Sequence, residues 1–304
     1  MTAAATEVQT KLDASGALRE AVEVVREGMR GSRGIAVGVW WNVGLLVLSL
    51  AALPFDQRKI LGLNPWVKPI KFDVSVIGFL LTVGVMLWAL GRAGEWRRSR
   101  WCLGWGFGIA MIVEDTIIGL QSARGVRSHM NYATVHDALL FSVMGLFIAL
   151  NTVLGAWLLA LWFWARTTWP TVVVWGVRLG LVMLLAASAE GVRMVAHGAH
   201  TVGAADGGTG LPLVNWSTWH GDLRVAHFFA LHALQIFPLV GLALAATRLR
   251  KSVQMSVLFG FAAVYGFGVW WLFAEAMRGV ALVGRGFVVS GGGCGEAAAQ
   301  SVLR

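Results

Sequence analysis

Residues 136–164, HDALLFSVMGLFIALNTVLGAWLLALWFW, form an apolar run in which Asp137, close to its start, is the only Asp, Glu, Lys or Arg. At 1.5 Å per residue, a helix of that length crosses a hydrocarbon core of about 30 Å. Backbone groups facing lipid must be paired within their own segment, so the run is expected to be a helix. A barrel strand would need alternating polar residues, which it lacks. Six more runs share this character, at 34–53, 72–91, 101–122, 171–195, 223–247 and 256–282. The expected fold class is all-α, a polytopic membrane bundle of seven transmembrane helices.

The composition agrees. Hydrophobic residues make up 57% of the chain and charged residues 13%, with a mean hydropathy of +0.68, outside the soluble globular range. The net charge of +9 does not signal nucleic acid, because the Lys and Arg sit in short connections between apolar runs, where they set topology and meet headgroups. A small excess of them falls on the side of the N-terminus and of the 92–100, 165–170 and 248–255 connections. An N-in, C-out orientation in a bacterial inner membrane follows. Residues 1–33 carry Leu18, Val22, Val25 and Met29 at helical spacing among charges, the pattern of a cytoplasmic amphipathic helix. Residues 34–284 form the seven-helix domain, and 285–304 read as a flexible C-terminal tail.

Some punctuation is structural. Gly104, Gly106 and Gly108, and again Gly260, Gly266 and Gly268, have the small-residue spacing that lets helices approach closely. Tryptophans 157, 162, 164, 169 and 175 suit an interfacial belt. The segment NPWVKPIKF, residues 64–72, reads as a two-proline loop whose Lys68 and Lys71 meet headgroup phosphates.

The candidate chemistry lies between Glu190 and Pro238, which hold five of the seven histidines. In the alternating topology all the histidines fall toward one side, and Glu114, Asp115 and Glu190 lie in the same halves of their helices. Glu190, Arg193, His197 and His200, at i, i+3, i+7 and i+10, share one polar stripe of a helix. His227 and His232 are five residues apart and so point about 140° apart, and Pro238 should kink the helix beside His232 and Gln235. Asp222 is placed to cap that helix, with Arg224 in its first turn. Imidazole and carboxylate donors of this kind suit iron, zinc or copper. A haem b between His197 or His200 and His227 or His232 is the alternative.

The runs AHGAHTVGAADGGTGLPLVNW and GDLRVAHFFALHALQIFP, with NPWVKPIKF and QSARG, resemble an uncharacterised group of bacterial multi-pass membrane proteins, over about residues 60–285. The resemblance implies that His197, His200, Asp206, Asn215, Asp222, Arg224, His227, His232 and Gln235 belong to a shared pattern and that His220 does not. It implies no particular activity.

The expected function is a membrane oxidoreductase or electron-transfer component with a metal or haem near the outer face. Its ligands would come from His197, His200, His227, His232, Glu190 and Glu114. Arg193 and Arg224 would serve as charge partners, and Glu114, Glu190 and Asp222 as acid or base groups. Its partners would be the bilayer and a quinone, a lipid or a periplasmic redox protein. Two other readings stand beside it. One is an intramembrane zinc hydrolase acting on a lipid, whose architecture would resemble the progestin and adiponectin receptors and alkaline ceramidases, although their HxxxH is absent. The other is a proton-coupled transporter with a polar relay, for which the opposite half of the bundle offers little beyond Asn42 and Arg178.

Overall fold

The computed structural model describes residues 19–92 and 96–283. The first part of the amphipathic segment and the tail from 284 lie outside those residues. A first helix, α1, covers 19–31. It is followed by α2 (Arg33–Ala52), α3 (Val67–Arg92), α4 (Arg97–Arg124), α5 (Val135–Trp164), α6 (Thr171–His197), α7 (Leu223–Ala245) and α8 (Lys251–Met277). A two-residue ribbon, β1 (Thr201–Val202) against β2 (Gly221–Asp222), closes the α6–α7 connection. The helices α2 to α8 are each long and apolar enough to cross a membrane, which marks a multi-pass membrane protein.

Helix ends follow local chemistry. Gly125 and Gly198 end α4 and α6 in the left-handed conformation that glycine adopts without cost, and their N–H groups bond back to the last-turn carbonyls. Thr134 caps α5 by accepting from the Asp137 N–H, and Asp222 caps α7 by accepting from that of Arg224. Pro69 is tolerated inside α3 because it stands in the first turn, where its missing donor is not needed. Lys68 and Lys71 therefore belong to the helix, not to the expected loop.

Close packing comes from glycine. A Cβ at Gly34 would stand 2.6 Å from the Gly104 carbonyl oxygen, and one at Gly38 would stand 2.9 Å from Leu80 and 3.1 Å from the Gly108 Cα. Helices α2, α3 and α4 thus meet at Gly38, with α2 parallel to α4 and antiparallel to α3. On the other side, Gly176 and Gly180 of α6 press on the α7 backbone at Phe237 and Ala233–Leu234, covering the carbonyls around the Pro238 irregularity. Gly260, Gly266 and Gly268 do not have the expected role: a Cβ at any of them would meet open space. Of the tryptophans expected in a belt, Trp162 is instead fully buried, against Trp169, while Trp164 is exposed. Within 19–31, Gly28 sits on the Gly84 backbone and Met29 on the core, whereas Val22 faces outward.

Candidate functional site

The connections 53–66, 125–134 and 198–222 gather at one end of the bundle. Arg58 donates to the Ala123 carbonyl, Asn215 to that of Leu61, and the Arg127 guanidinium lies 3.2 Å from Asp206. The shortest of these connections is held by Asp137, which accepts from Gln121, Arg124 and Thr134. That clasp folds 125–134 back over the bundle and places His129 inside it.

His129 lies between the Phe72 and Phe141 rings, at 5.9 and 6.1 Å between centroids. Its Nδ1 is 3.1 Å from the Lys68 Nζ and 3.1 Å from the Ser128 Oγ. Its Nε2 is 3.5 Å from Oε1 of Glu114. An ammonium has only protons to give, so Nδ1 accepts and Nε2 carries the hydrogen toward Glu114. Burial pushes the His129 pKa well down, and the neighbouring Lys68 pushes the same way. The His129–Glu114 contact is therefore one between a neutral imidazole and a carboxyl, not an ion pair. The other Glu114 oxygen, Oε2, is buried without a partner.

In the long connection, Asp206 accepts from the N–H groups of His200 and Thr201 and lies 2.8 Å from the His200 Nδ1. Burial alone would raise its pKa, but these bonds, that to His200 foremost, hold the carboxyl well below its usual range. His200 is in turn lowered by burial, against the pull of Asp206. An anionic partner makes Nδ1 the protonated nitrogen, which leaves the His200 Nε2 lone pair free. His227 repeats the pattern: its Nδ1 lies 2.9 Å from the Ala187 carbonyl of α6, so its Nε2 is also unprotonated. Asp222 holds Arg224 through both carboxyl oxygens and accepts from the Ser217 N–H, while Arg224 also reaches the Asn215 carbonyl. Above these groups a cavity of about 300 Å³ opens between Thr201, Gly207, Asn215, His220 and Arg224.

The expected site residues divide into two groups. Glu114, His200, His227, Asp222 and Arg224 share this end of the bundle with Lys68 and His129. The Glu190 stripe does not join as a whole. Arg193 and His197 are exposed, Glu190 and Arg193 form no ion pair among the described residues, and Glu190 keeps one buried oxygen without a partner. His197 reaches only the nearby Thr201 carbonyl, at 3.2 Å. His232 packs on Phe228, 4.3 Å between ring centres, with Gln235 as its polar neighbour, on a different face of α7 from His227. Lys68 and His129 are not among the expected site residues: Lys68 is expected at headgroup phosphates, and the signal for His129 is its place among the histidines of one side.

A second polar group lies deeper. Asp73 of α3 and Asp115 of α4 are each 1% exposed; both carboxyl oxygens of Asp115 are buried without a hydrogen-bond partner, and Asp73 has the Ser49 hydroxyl as its polar neighbour. Both lie seven residues, two helical turns, from the Gly38 crossing: Asp73 from Leu80 and Asp115 from Gly108. Positions seven apart share a face, so the two aspartates face the same seam. Asn42, four residues beyond Gly38, and Ser49, seven further on, present the matching face of α2 and are 0% and 2% exposed.

No family model, no curated protein and no solved structure matches the chain. Among the described residues, no three His, Cys, Asp or Glu side chains stand in metal-binding geometry.

Proposed function

We propose that the chain is a bacterial inner-membrane protein, N-terminus inside, that takes up a transition-metal ion at the outer end of the bundle and acts as an oxidoreductase or electron-transfer component. The observation that carries this is the anchoring of two imidazoles. His200 and His227 each have Nδ1 tied to an oxygen, which in the neutral ring leaves Nε2 as the lone-pair nitrogen, the arrangement by which proteins orient histidine ligands. The unpartnered Oε2 of Glu114 is the third donor nearest in character, and mixed nitrogen and oxygen donors suit iron, zinc or copper. Binding would draw these groups onto one ion. A haem b between α6 and α7 is less favoured, because His227 bonds directly to the α6 backbone and leaves no slot there.

The direct test is elemental analysis of the purified protein together with its optical spectrum. One equivalent of metal, lost in both His200→Ala and His227→Ala, is the expected result. A Soret band would move the proposal to haem. Stoichiometric zinc without colour would favour the lipid hydrolase, and neither metal nor Soret band would end the reading.

The buried Asp73 and Asp115 favour a second reading, in which Glu114, Asp115, Asp73 and Asn42 form a proton or cation relay leading away from the outer site. It predicts faster collapse of an imposed pH gradient across liposomes reconstituted with the protein, abolished by Asp115→Asn.

A further inference from the structure

The buried small and polar residues of α2 form one stripe. Gly34, Gly38, Asn42 and Ser49 are all buried, and positions i, i+4, i+8 and i+15 return to one face of a helix. The helices that pack on α2 are α3 and α4, so Asn42, 0% exposed near the middle of α2, points between those two. Its Nδ2 turns back to its own helix and donates to the Gly38 carbonyl. The amide oxygen is therefore turned off the helix, toward α3 and α4, where it is buried without a partner.

Across the seam, the Trp41 Nε1 donates to the Thr116 Oγ1 at 2.9 Å. That register brings the turn of α2 holding Asn42 beside the turn of α4 holding Asp115. Both oxygens of Asp115 are also buried and unpartnered, and the charge of Asp73 acts on it from α3. Three buried oxygens from two helices thus face one seam with no donor to meet them, and each unmatched acceptor is a cost to folding. A proton satisfies one acceptor at a time, whereas a metal cation meets several oxygens at once. Carboxyl, amide and hydroxyl oxygens, without nitrogen or sulfur, select a hard cation over zinc or copper. The seam is packed at backbone contact, Gly38 against Gly108, so an ion enters it without a water shell. Stripping that shell costs about four times more for a divalent than for a monovalent ion of the same size, because the cost grows with the square of the charge. A small monovalent cation is the occupant these constraints leave.

We infer that this seam is a sodium site, the ion held by Asp115, Asp73 and the Asn42 amide oxygen between α2, α3 and α4. The inference rests on the relay reading of the same residues and deepens it by naming the carried species.

The test uses the full-length protein in detergent, its unfolding midpoint followed as sodium chloride replaces choline chloride at constant ionic strength. Sodium should raise the midpoint saturably, by about 3–5 °C at ten times its half-saturating concentration. Potassium and calcium should give a smaller rise; one as large as sodium's, and lost in Asp115→Asn, overturns the assignment to sodium. Each variant is compared with its own midpoint in choline, so a change in basal stability does not enter. Asp115→Asn should abolish the sodium rise, and Asn42→Ala should increase the half-saturating sodium concentration about tenfold. Glu190→Gln removes a half-buried carboxyl from α6 and should leave the rise intact. A full rise in Asp115→Asn overturns the site, as does an equal loss in Glu190→Gln. If Asp115→Asn is not recovered folded, Asn42→Ala decides, and unchanged half-saturation in it overturns the proposal. Reconstituted liposomes separate the site from the relay. Collapse of a pH gradient that needs Asp115, with no sodium rise in the midpoint, leaves a proton relay and overturns the sodium site. A sodium-dependent midpoint without gradient collapse supports the site and ends the relay.

Discussion

Nε2 of His129 stands 3.5 Å from Oε1 of Glu114, joining a connecting segment to the interior of α4 through a ring that burial keeps neutral. The sign of its pH dependence follows. Burial lowers the folded-state pKa of His129 well below its ordinary value of 6.5, so below about pH 6.5 the unfolded chain takes up a proton that the folded one refuses. Stability is then full above that pH and falls as pH drops, by up to about 1.4 kcal/mol per unit. His200, lowered in the same direction, adds to the slope. Thermal unfolding in detergent between pH 7.5 and 5 should show the decline, and His129→Gln should flatten it. A slope unchanged in His129→Gln would place the titration elsewhere.

Under the metal proposal, Asp206 should act through His200. It fixes the ring by accepting from Nδ1 and from two backbone N–H groups, and removing such a partner costs roughly 10- to 100-fold in metal affinity. Asp206→Asn should therefore weaken metal uptake by about that factor, measured by calorimetric titration of metal-free protein, while His197→Ala and His232→Ala leave it unchanged. A large loss in His232→Ala would show that the ligands come from the other face of α7.

Gly108 and Gly119 lie on one helix and should respond in opposite ways. A Cβ at Gly108 would collide with the Gly34 carbonyl, whereas one at Gly119 meets nothing within 4 Å. Gly108→Ala should destabilise by about 1–3 kcal/mol through overpacking. Gly119→Ala should be neutral or stabilise by up to about 1 kcal/mol through helix propensity. Unfolding midpoints of the two variants provide the comparison, and a tolerated Gly108→Ala would mean that α2 and α4 are not held at backbone contact.

What was legible in the sequence follows from the range of the forces involved. The seven spans were readable because a long apolar run can satisfy its backbone in lipid only as a helix. Their starts were less readable where charge sits in the first turn: α3 begins at Val67, five residues before the apolar run, because Lys68 and Lys71 point inward within a helix that looked like a loop. The Asp222 cap of α7 and the divergence of His227 from His232 are local properties and were readable. Which way the Glu190 stripe faces depends on how α6 is rotated against its neighbours, and Arg193 and His197 turned outward. The inward fold of His129 and the meeting of Asp73 with Asp115 depend on register between separate helices, set by glycine contacts such as Gly38 on Gly108, which no single segment encodes.

Asp115 supplies the test of whether the deep acidic pair is structural. A buried carboxylate without a partner costs several kcal/mol if charged, and a structural role would require bonds that its oxygens do not make. An amide of nearly the same shape removes the charge problem but still has polar atoms to satisfy. Asp115→Asn and Asp73→Asn should therefore each leave the unfolding midpoint unchanged or raise it, by an amount equivalent to about 1–2 kcal/mol. Such a residue is kept at a cost to stability, which is the expectation for a group that carries a proton or a cation during work. If either substitution instead lowers stability by more than about 2 kcal/mol, the carboxyls are held by interactions within the seam, and the relay loses its basis.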